Sequence, residues 1–296
     1  MVAEVLAALR CRPNVDAVYL DCTVGLGGHA EAILERTAPR GRVIGCDRDA
    51  AALSHAAARL AAFGDRATLR KAVFSELQAT VETLSQAEVA GALFDLGVSS
   101  LQLDDATRGF SFRHPGPLDM RMDQSERETA ADWLRGRSAN GIAETLREYG
   151  DERWATRIAR AVVQHRTEVG AITRCETLER IIWRSVPPAA RQGRIHPATR
   201  TFQAIRMAVN REVDQLAAGL ATAAALLALG GRLVVISFHS VEDRCVKQTF
   251  RRWEREAVGD RRFVLPCKKP VRPSGEEMAR NPRARSAKMR ILERAA

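Results

Sequence analysis

Short apolar runs alternate with segments of helical periodicity through the first third of the chain. Four of the runs are typical of buried strands, and they span Tyr19 to Asp21, Arg42 to Asp47, Ala67 to Val73 and Val89 to Asp95. The segments around them favour helices, at Val2 to Leu9, Gly28 to Arg36, Asp49 to Phe63 and Glu76 to Leu84. Polar residues stand where the strands end. This alternation predicts an α/β fold with a doubly wound parallel sheet.

The alternation stops between Leu103 and about Arg200. Helical patterns follow there, at Glu128 to Arg135, Ile142 to Tyr149, Glu152 to His165 and Glu176 to Val186, the last with a capping box from Thr173 to Glu176. The sheet pattern then resumes, with helices at Thr199 to Val213 and Asp214 to Leu229, the helix-ending pair Gly230-Gly231, and strands at Arg232 to Ser237 and Ala287 to Glu293. We therefore expect a discontinuous sheet domain, residues 1–104 and 201–296, and an inserted helical substrate-recognition domain, residues 105–200.

Composition narrows the class of protein. The chain has 296 residues, of which 46% are hydrophobic, enough for one large core or two smaller ones. Since no apolar run approaches the roughly 18 residues of a membrane span, and no signal arrangement stands at the N-terminus, we expect a cytosolic protein without membrane contact. The cysteines form no C-x-x-C pair, so neither a metal site nor a disulfide is expected.

The net charge of +10, carried mainly by arginine, indicates a polyanionic partner. A solvated arginine-rich surface would give the same number. Arg153, Arg157 and Arg160 form a stripe on one face of a predicted helix, and this stripe is either a phosphate contact or a solvated face. His165 lies on the opposite face and is interpreted as half-buried packing. The basic, proline-containing segment from Arg251 to Arg285 is consistent with a loop over RNA.

A glycine turn follows the first strand. Gly25, Gly27 and Gly28 permit a sharp turn and close approach to a ligand, toward which the next helix would direct its free N–H groups. The spacing is not the dinucleotide pattern G-x-G-x-x-G. Asp21 at the strand end would repel a pyrophosphate but suit a cationic ligand, and S-adenosylmethionine is such a ligand. A plain tight turn is the alternative.

Two residues at the ends of the next strands complete a candidate ligand site. Asp47 stands about 20 residues after the glycine turn, where an acid takes the ribose hydroxyls of an adenosine ligand. The alternative role, a helix cap, suits Asp49 better. Phe74 follows the third strand and is interpreted either as a cover for adenine or as core packing.

The end of the fourth strand is where we expect chemistry. Amino methyltransferases commonly place an acid or amide there, followed by Pro-Pro-aromatic, to hold the hydrogens of the target amine. This chain has the acid, Asp95, without the prolines and the aromatic residue. Asp95 is therefore the candidate catalytic residue, with Ser99 and Gln102 near enough in sequence to supply ligand or substrate contacts.

A Gly/Pro-rich loop then interleaves aromatic residues and arginines, a composition suited to stacking an unpaired base. The candidate substrate contacts in it are Arg108, Phe110, Phe112 and Arg113. His239 opens a helix at the same sheet edge as the ligand. It is either a further substrate contact or a capping or packing residue.

Four blocks of the sequence resemble a known family. They are Asp21 to His29, Leu96 to Asp105 continuing through Arg108 to Phe112 and Gly116 to Met122, His196 to Ala204, and Ser237 to Arg244 with Asn281 to Ser286. Together they are highly specific, and the chain resembles the bacterial ribosomal RNA small-subunit methyltransferase H family, also called MraW, along nearly its whole length.

The resemblance implies a class I, Rossmann-like methyltransferase. It implies transfer of a methyl group from S-adenosylmethionine to N4 of a cytidine in the decoding centre of 16S rRNA, within the small ribosomal subunit. The family's cofactor contacts, carried over by position, are Gly27, Gly28, His29, Asp47, Phe74, Asp95 and Gln102.

Two other classes of function are compatible with parts of the sequence. A nicotinamide oxidoreductase would share the fold and the ribose-binding acid, but it should have the G-x-G-x-x-G spacing. A non-enzymatic ribosome-assembly factor would explain the charge and the arginine stripe, and it would bind immature subunits without the methyl donor.

Overall fold

The computed structural model describes residues 1–82, 88–193 and 195–295. The chain forms two compact units, one made of Met1–Gly97 and the segment from Val213 onward, the other of Val98–Glu212. Both boundaries differ from the expected ones at residues 104 and 200. The cause at the second boundary is the helix Ala198–Val209, which packs on the helix Ala139–Gly150 of the inserted unit.

Within the described residues, seven strands form one sheet. They are β1 Val18–Asp21, β2 Arg42–Asp47, β3 Ala67–Lys71, β4 Val89–Asp95, β5 Leu227–Ser237, β6 Arg262–Val264 and β7 Lys288–Ala295. Their order is β3-β2-β1-β4-β5-β7-β6. The first five are parallel, whereas β7 runs antiparallel to both β5 and β6. The predicted doubly wound parallel sheet is confirmed for β1 to β5, and the antiparallel edge strand β7 makes the whole sheet mixed.

The helices are α1 Val2–Ala8, α2 Gly28–Arg36, α3 Ala50–Leu60, α4 Leu77–Glu82, α5 Ser100–Asp104, α6 Ala130–Gly136, α7 Ala139–Gly150, α8 Ala155–Glu168, α9 Cys175–Ser185, α10 Pro188–Arg191, α11 Ala198–Val209, α12 Glu212–Leu226, α13 Ser240–Arg255 and α14 Gly275–Arg280. Elements α2, β2 and β4 have the predicted bounds. The predicted helix from Glu76 begins instead as a 3₁₀ turn, Phe74–Glu76, and its last two predicted residues, 83 and 84, lie outside the described residues. No helix of the described chain combines the length and the apolar character needed to cross a bilayer.

Apolar side chains cover both faces of the sheet, because successive residues along a strand belong to two different apolar clusters. In β5, Val235 joins a cluster with α4, α12 and α13, whereas its neighbours Val234 and Ile236 join a cluster with α1, α2 and α3. Side chains that alternate in this way, both sets apolar, are typical of a sheet buried on two sides. Burial on both faces leaves the strand ends as the place for polar groups.

The junction between α12 and β5 differs from its prediction. The helix ends at Leu226, not Leu229, and the strand runs through the glycine pair. Val89 pairs with Leu227 but Gly91 with Arg232, so the extra residues of β5 bulge out between these pairs. Gly230 there has φ +75°, a conformation that glycine adopts without strain. The glycines therefore serve a bulge and do not end the helix.

Two further local predictions are wrong. Arg174, not Thr173, precedes α9 as its N-cap, and Glu176 accepts hydrogen bonds from the Gly116 backbone and from the Arg174 side chain. These two donors, one distant in sequence and one adjacent to the helix start, take the carboxylate that a capping box would use. The expected loop from Arg251 to Arg285 contains the end of α13 together with β6 and α14.

Candidate active site

Three carboxylates stand at one edge of the sheet. Asp21, Asp47 and Asp95 are the last residues of β1, β2 and β4. The strands are parallel neighbours, and Asp21 pairs in register with Gly45 of β2 and Leu93 of β4. The carboxyl ends of such strands are where open α/β sheets bind ligands.

The glycine turn lies between this edge and α2. Gly25 has φ +51° and Gly27 has φ +83°, conformations that L side chains rarely adopt. A Cβ on Gly27 would also lie 3.4 Å from Arg59 Cδ and 3.5 Å from Ala56 Cα, so α3 restricts the same position sterically. Helix α2 begins at Gly28 without a side-chain cap from any described residue. Its first N–H groups are therefore suited to a ligand.

Asp47 braces the turn. The Gly25 backbone N–H donates to its Oδ2 at 2.9 Å, and the Asp49 N–H donates to its Oδ1 at 2.9 Å. Asp49 is the cap of α3, accepting from the Ala51 N–H at 3.0 Å, as the sequence favoured. A carboxylate offers about four acceptor sites, so Asp47 keeps acceptor capacity beyond its backbone hydrogen bonds. The carboxylate can thus hold the glycine turn and still accept hydrogen bonds from ribose hydroxyls.

His29, on the first turn of α2, contacts Asp95. The two atoms His29 Nε2 and Asp95 Oδ2 are 3.4 Å apart. The Asp95 backbone N–H donates to Thr23 Oγ1 at 2.6 Å, which fixes the end of β4 against the turn. Sequence reasoning missed this pair, because His29 entered only through the family resemblance and no local pattern joins it to Asp95.

Three buried polar atoms around this pair have no hydrogen-bond partner among the described residues: Asp21 Oδ2, Asp95 Oδ1 and His29 Nδ1. Burial raises the pKa of Asp21 to about 7, and the charges of Asp95 and Asp47 add to the rise, although His29 opposes it. Burial would lower the pKa of His29, but Asp95 and Asp21 outweigh burial and raise it. Buried carboxylate oxygens without partners fit a cationic ligand.

The structure places Phe74 and Gln102 in different settings. The Phe74 ring is half-buried and meets Phe94 edge-to-face, with ring centres 5.0 Å apart. The packing interpretation of Phe74 is confirmed, and its contact with adenine stays a prediction. Gln102 belongs to the inserted unit, where its side chain and that of Ser99 form a capping box at the start of α5. Its cofactor contact also stays a prediction.

The loop residues proposed to stack a base divide into two groups. Arg108 is buried and donates to the carbonyls of Arg121 and Met122, and Phe110 is buried in the core of the inserted unit. Both side chains are engaged within the inserted unit, and their contact with substrate stays a prediction. Arg113 is exposed. The other aromatic residue, Phe112, is half-buried.

Phe112 stacks on His196 with ring centres 4.6 Å apart. His239 is the N-cap of α13: its Nδ1 accepts from the Glu242 N–H at 3.4 Å, and its Nε2 lies 2.8 Å from Glu242 Oε1. The capping alternative is confirmed for His239. Substrate contacts by Phe112, Arg113 and His239 stay predictions.

A seven-stranded sheet in this order, with β7 reversed between β5 and β6 and a glycine turn after β1, defines a class I S-adenosylmethionine-dependent methyltransferase. Within that class the chain belongs to the MraW methylase family, whose model matches residues 1–295. The sequence is similar to several proteins named ribosomal RNA small subunit methyltransferase H. The one from Geobacter sulfurreducens is 48% identical over 305 residues, which cover 99% of this chain and 97% of that protein. Those from Methylococcus capsulatus and Symbiobacterium thermophilum are 47% and 46% identical, covering 100% and 99% of this chain and 100% and 94% of their own lengths.

The buried Asp21 should make stability depend on pH. Its ordinary pKa is 3.8, and in the folded chain it is about 7, so between these values the folded state binds more protons than the unfolded state. The free energy of unfolding therefore falls as pH rises through this window. In Asp21→Asn this loss should disappear, and the variant should gain stability relative to wild type by on the order of a few kcal/mol between pH 4 and pH 7.

Urea unfolding without cofactor, repeated across this pH range, measures the effect. Asp65→Asn is the matched control, because Asp65 is exposed and lies in the same unit. A stability difference between Asp21→Asn and wild type that does not change with pH would contradict the prediction.

Proposed function

We propose that this chain transfers a methyl group from S-adenosylmethionine to N4 of a cytidine in the decoding centre of 16S rRNA, within the small ribosomal subunit and in the cytoplasm. The observation that carries the chemistry is the Asp95 carboxylate at the end of β4, with one oxygen 3.4 Å from His29 and the other buried without a partner among the described residues. The identity of the substrate is supported by the names of the relatives and by the family motifs. The free thiols of all six cysteines agree with a reducing compartment.

The residues around the glycine turn fit the cofactor. S-adenosylmethionine, when bound, supplies a methyl group on a cationic sulfur, which is already activated as a leaving group. Asp47 would accept hydrogen bonds from the ribose hydroxyls while its two bonds to backbone N–H groups hold the turn. Asp21, whose Oδ2 has no partner among the described residues, would face positive charge. The N–H groups of Gly28 and His29 would position the ligand at the start of α2.

Asp95 would act on the amine. An exocyclic amine has its lone pair delocalised into the ring, and an acceptor bound to its N–H favours the pyramidal, nucleophilic nitrogen. Asp95 Oδ1 is the acceptor available for this hydrogen bond. The amine proton becomes acidic once the nitrogen is alkylated, so a strong base is not needed. His29 then serves as a positioning residue, because its contact with Oδ2 orients the carboxylate.

The direct test is methyl transfer from labelled S-adenosylmethionine to unmodified small ribosomal subunits, followed by mass spectrometry of the product nucleosides. We expect to detect N4-methylcytidine at a single site of 16S rRNA. Methylation of another base or of a ring carbon would contradict it. Binding to immature subunits that is unchanged without the methyl donor, combined with no transfer, would favour the assembly-factor alternative.

A further inference from the structure

Helices α8 and α9 of the inserted unit leave an open cleft on their outer side. Their inner sides are packed in the core of that unit through Ile158, Val162, Leu178 and Ile182. The cleft has a volume of about 700 Å³, and its lining comes from these two helices and from Val169, the residue after α8. Because both walls are helices anchored in one core, the backbone positions from which the lining side chains project are fixed relative to one another.

Three exposed arginines line this cleft: Arg157 and Arg160 from α8, and Arg184 from α9. None of the three makes an ion pair with a residue in the described part of the chain. Other arginines of the same unit are paired, such as Arg121 with Asp119 at 2.7 Å. Arginine is weakly hydrated and binds phosphate through two parallel N–H groups, so unpaired arginines around a cleft indicate an anionic ligand.

The remaining lining does not cancel this charge. Glu168 is the acidic member of the lining, and its Oε1 accepts a hydrogen bond from Gln164 at 2.9 Å. Arg153, the third member of the stripe seen in the sequence, does not line the cleft and lies over the Trp154 ring at 4.9 Å. The arginines at the cleft therefore differ from the predicted stripe. They come from two helices, and Arg184 of α9 lies with Arg157 and Arg160 of α8 in place of Arg153.

The lining contains no Phe, Tyr or Trp among the described residues. The half-buried His165 supplies an imidazole ring to the lining. Large aromatic rings are the usual stacking platforms for unpaired bases, whereas contacts to phosphates need only charge and hydrogen-bond donors. Arg157 and Gln164 are separated along α8 by about 10 Å at the usual helical rise, which is long enough for more than one nucleotide. We propose that the α8–α9 cleft binds the phosphate backbone of RNA without reading its sequence.

The proposal rests on the proposed function, since it assigns one surface on which the RNA substrate of that reaction is held. It is tested by replacing the three cleft arginines together, as Arg157→Gln, Arg160→Gln and Arg184→Gln. A matched control removes the same charge from the sheet unit, as Arg12→Gln, Arg36→Gln and Arg40→Gln. These control residues are exposed and stand before the amino ends of β1 and β2, whereas the carboxylates stand at the opposite ends of the strands.

Binding of each full-length protein to naked small-subunit RNA and to polyuridylate is measured over a series of salt concentrations. The cleft variant should bind both RNAs at least about tenfold more weakly, and its slope of log affinity against log salt should be shallower by about 2, as expected for three lost phosphate contacts. The control variant should keep the wild-type slope. A second variant with lysine at the three cleft positions should restore most of the slope, because it restores the charge.

Two further readouts separate this proposal from the proposed function. Cofactor affinity by calorimetry should be unchanged in the cleft variant, and methyl transfer should show a raised KM for RNA with kcat retained. A wild-type protein that binds RNA with the expected slope but methylates nothing would overturn the proposed function alone. Equal RNA affinities and slopes for the cleft variant and wild type would overturn the cleft proposal alone. Weaker binding to protein-containing subunits but not to naked RNA would also overturn it and assign the cleft to a protein partner.

Discussion

Asp95→Asn should reduce kcat for methyl transfer by about 100- to 1000-fold, the usual loss when one preorganised polar group is removed from a reacting centre. The substitution keeps the shape of the side chain but removes its negative charge. It leaves the Asp95 backbone N–H free to donate to Thr23 Oγ1, so the end of β4 should stay in place. Single-turnover methylation at saturating cofactor and RNA measures the loss directly.

An independent readout tests the contact between Asp95 and His29. Asp95 raises the pKa of His29, so Asp95→Asn should lower the pKa of the His29 imidazole. Titration of the His29 ring by NMR measures this shift. Asp65→Asn, on the exposed surface of the same unit, should change neither kcat nor the pKa of His29. A variant at Asp95 with near wild-type kcat would remove this residue from the chemistry, whatever the histidine does.

The sequence predicted the elements that create the site, but not the order of the strands or the direction of the last one. The bounds of β2 and β4 follow from apolar runs that end in an acid. Helix α2 begins at the glycine turn and ends before Pro39. These are local signals. The position of β7, antiparallel between β5 and β6, depends on pairing between segments far apart in the chain, which hydrophobic periodicity does not encode.

The same limit applies to single side chains. Arg108 stands in a loop whose composition indicates base stacking, yet its guanidinium is buried against the carbonyls of Arg121 and Met122. Composition cannot show whether an arginine points outward or satisfies buried backbone oxygens. The contact between His29 and Asp95 likewise exists only once α2 and β4 are packed. The sequence therefore identifies His29 and Asp95 as candidate site residues but does not predict the contact between them.

Asp47 shows how one predicted residue acquires a second role in the structure. The ribose prediction came from its distance in sequence from the glycine turn. In the folded chain the same carboxylate accepts from Gly25 of that turn and from Asp49 at the start of α3, each at 2.9 Å. A ligand that binds Asp47 would therefore meet a carboxylate already held in position, so little conformational entropy should be lost on binding.

Asp47→Asn should weaken cofactor binding by about 10- to 100-fold and lower the free energy of unfolding by about 2 kcal/mol. An asparagine carries one acceptor oxygen, so its NH₂ group must face one of the two backbone N–H donors that Asp47 satisfies. The turn should then lose a charge-assisted hydrogen bond and gain a contact between two donors. Calorimetry of cofactor binding and urea unfolding of the free protein measure the two effects separately.

The neighbouring acid provides the control. Asp49→Asn removes a charge two residues away, but asparagine caps a helix as well as aspartate, so the Ala51 N–H should keep its acceptor. This variant should retain cofactor affinity within about twofold and lose less stability than Asp47→Asn. If both variants lost the same affinity, the charge of this edge alone would account for cofactor binding. A loss confined to Asp47→Asn would instead assign the effect to the Asp47 carboxylate itself, through its backbone hydrogen bonds and its proposed contact with the ribose.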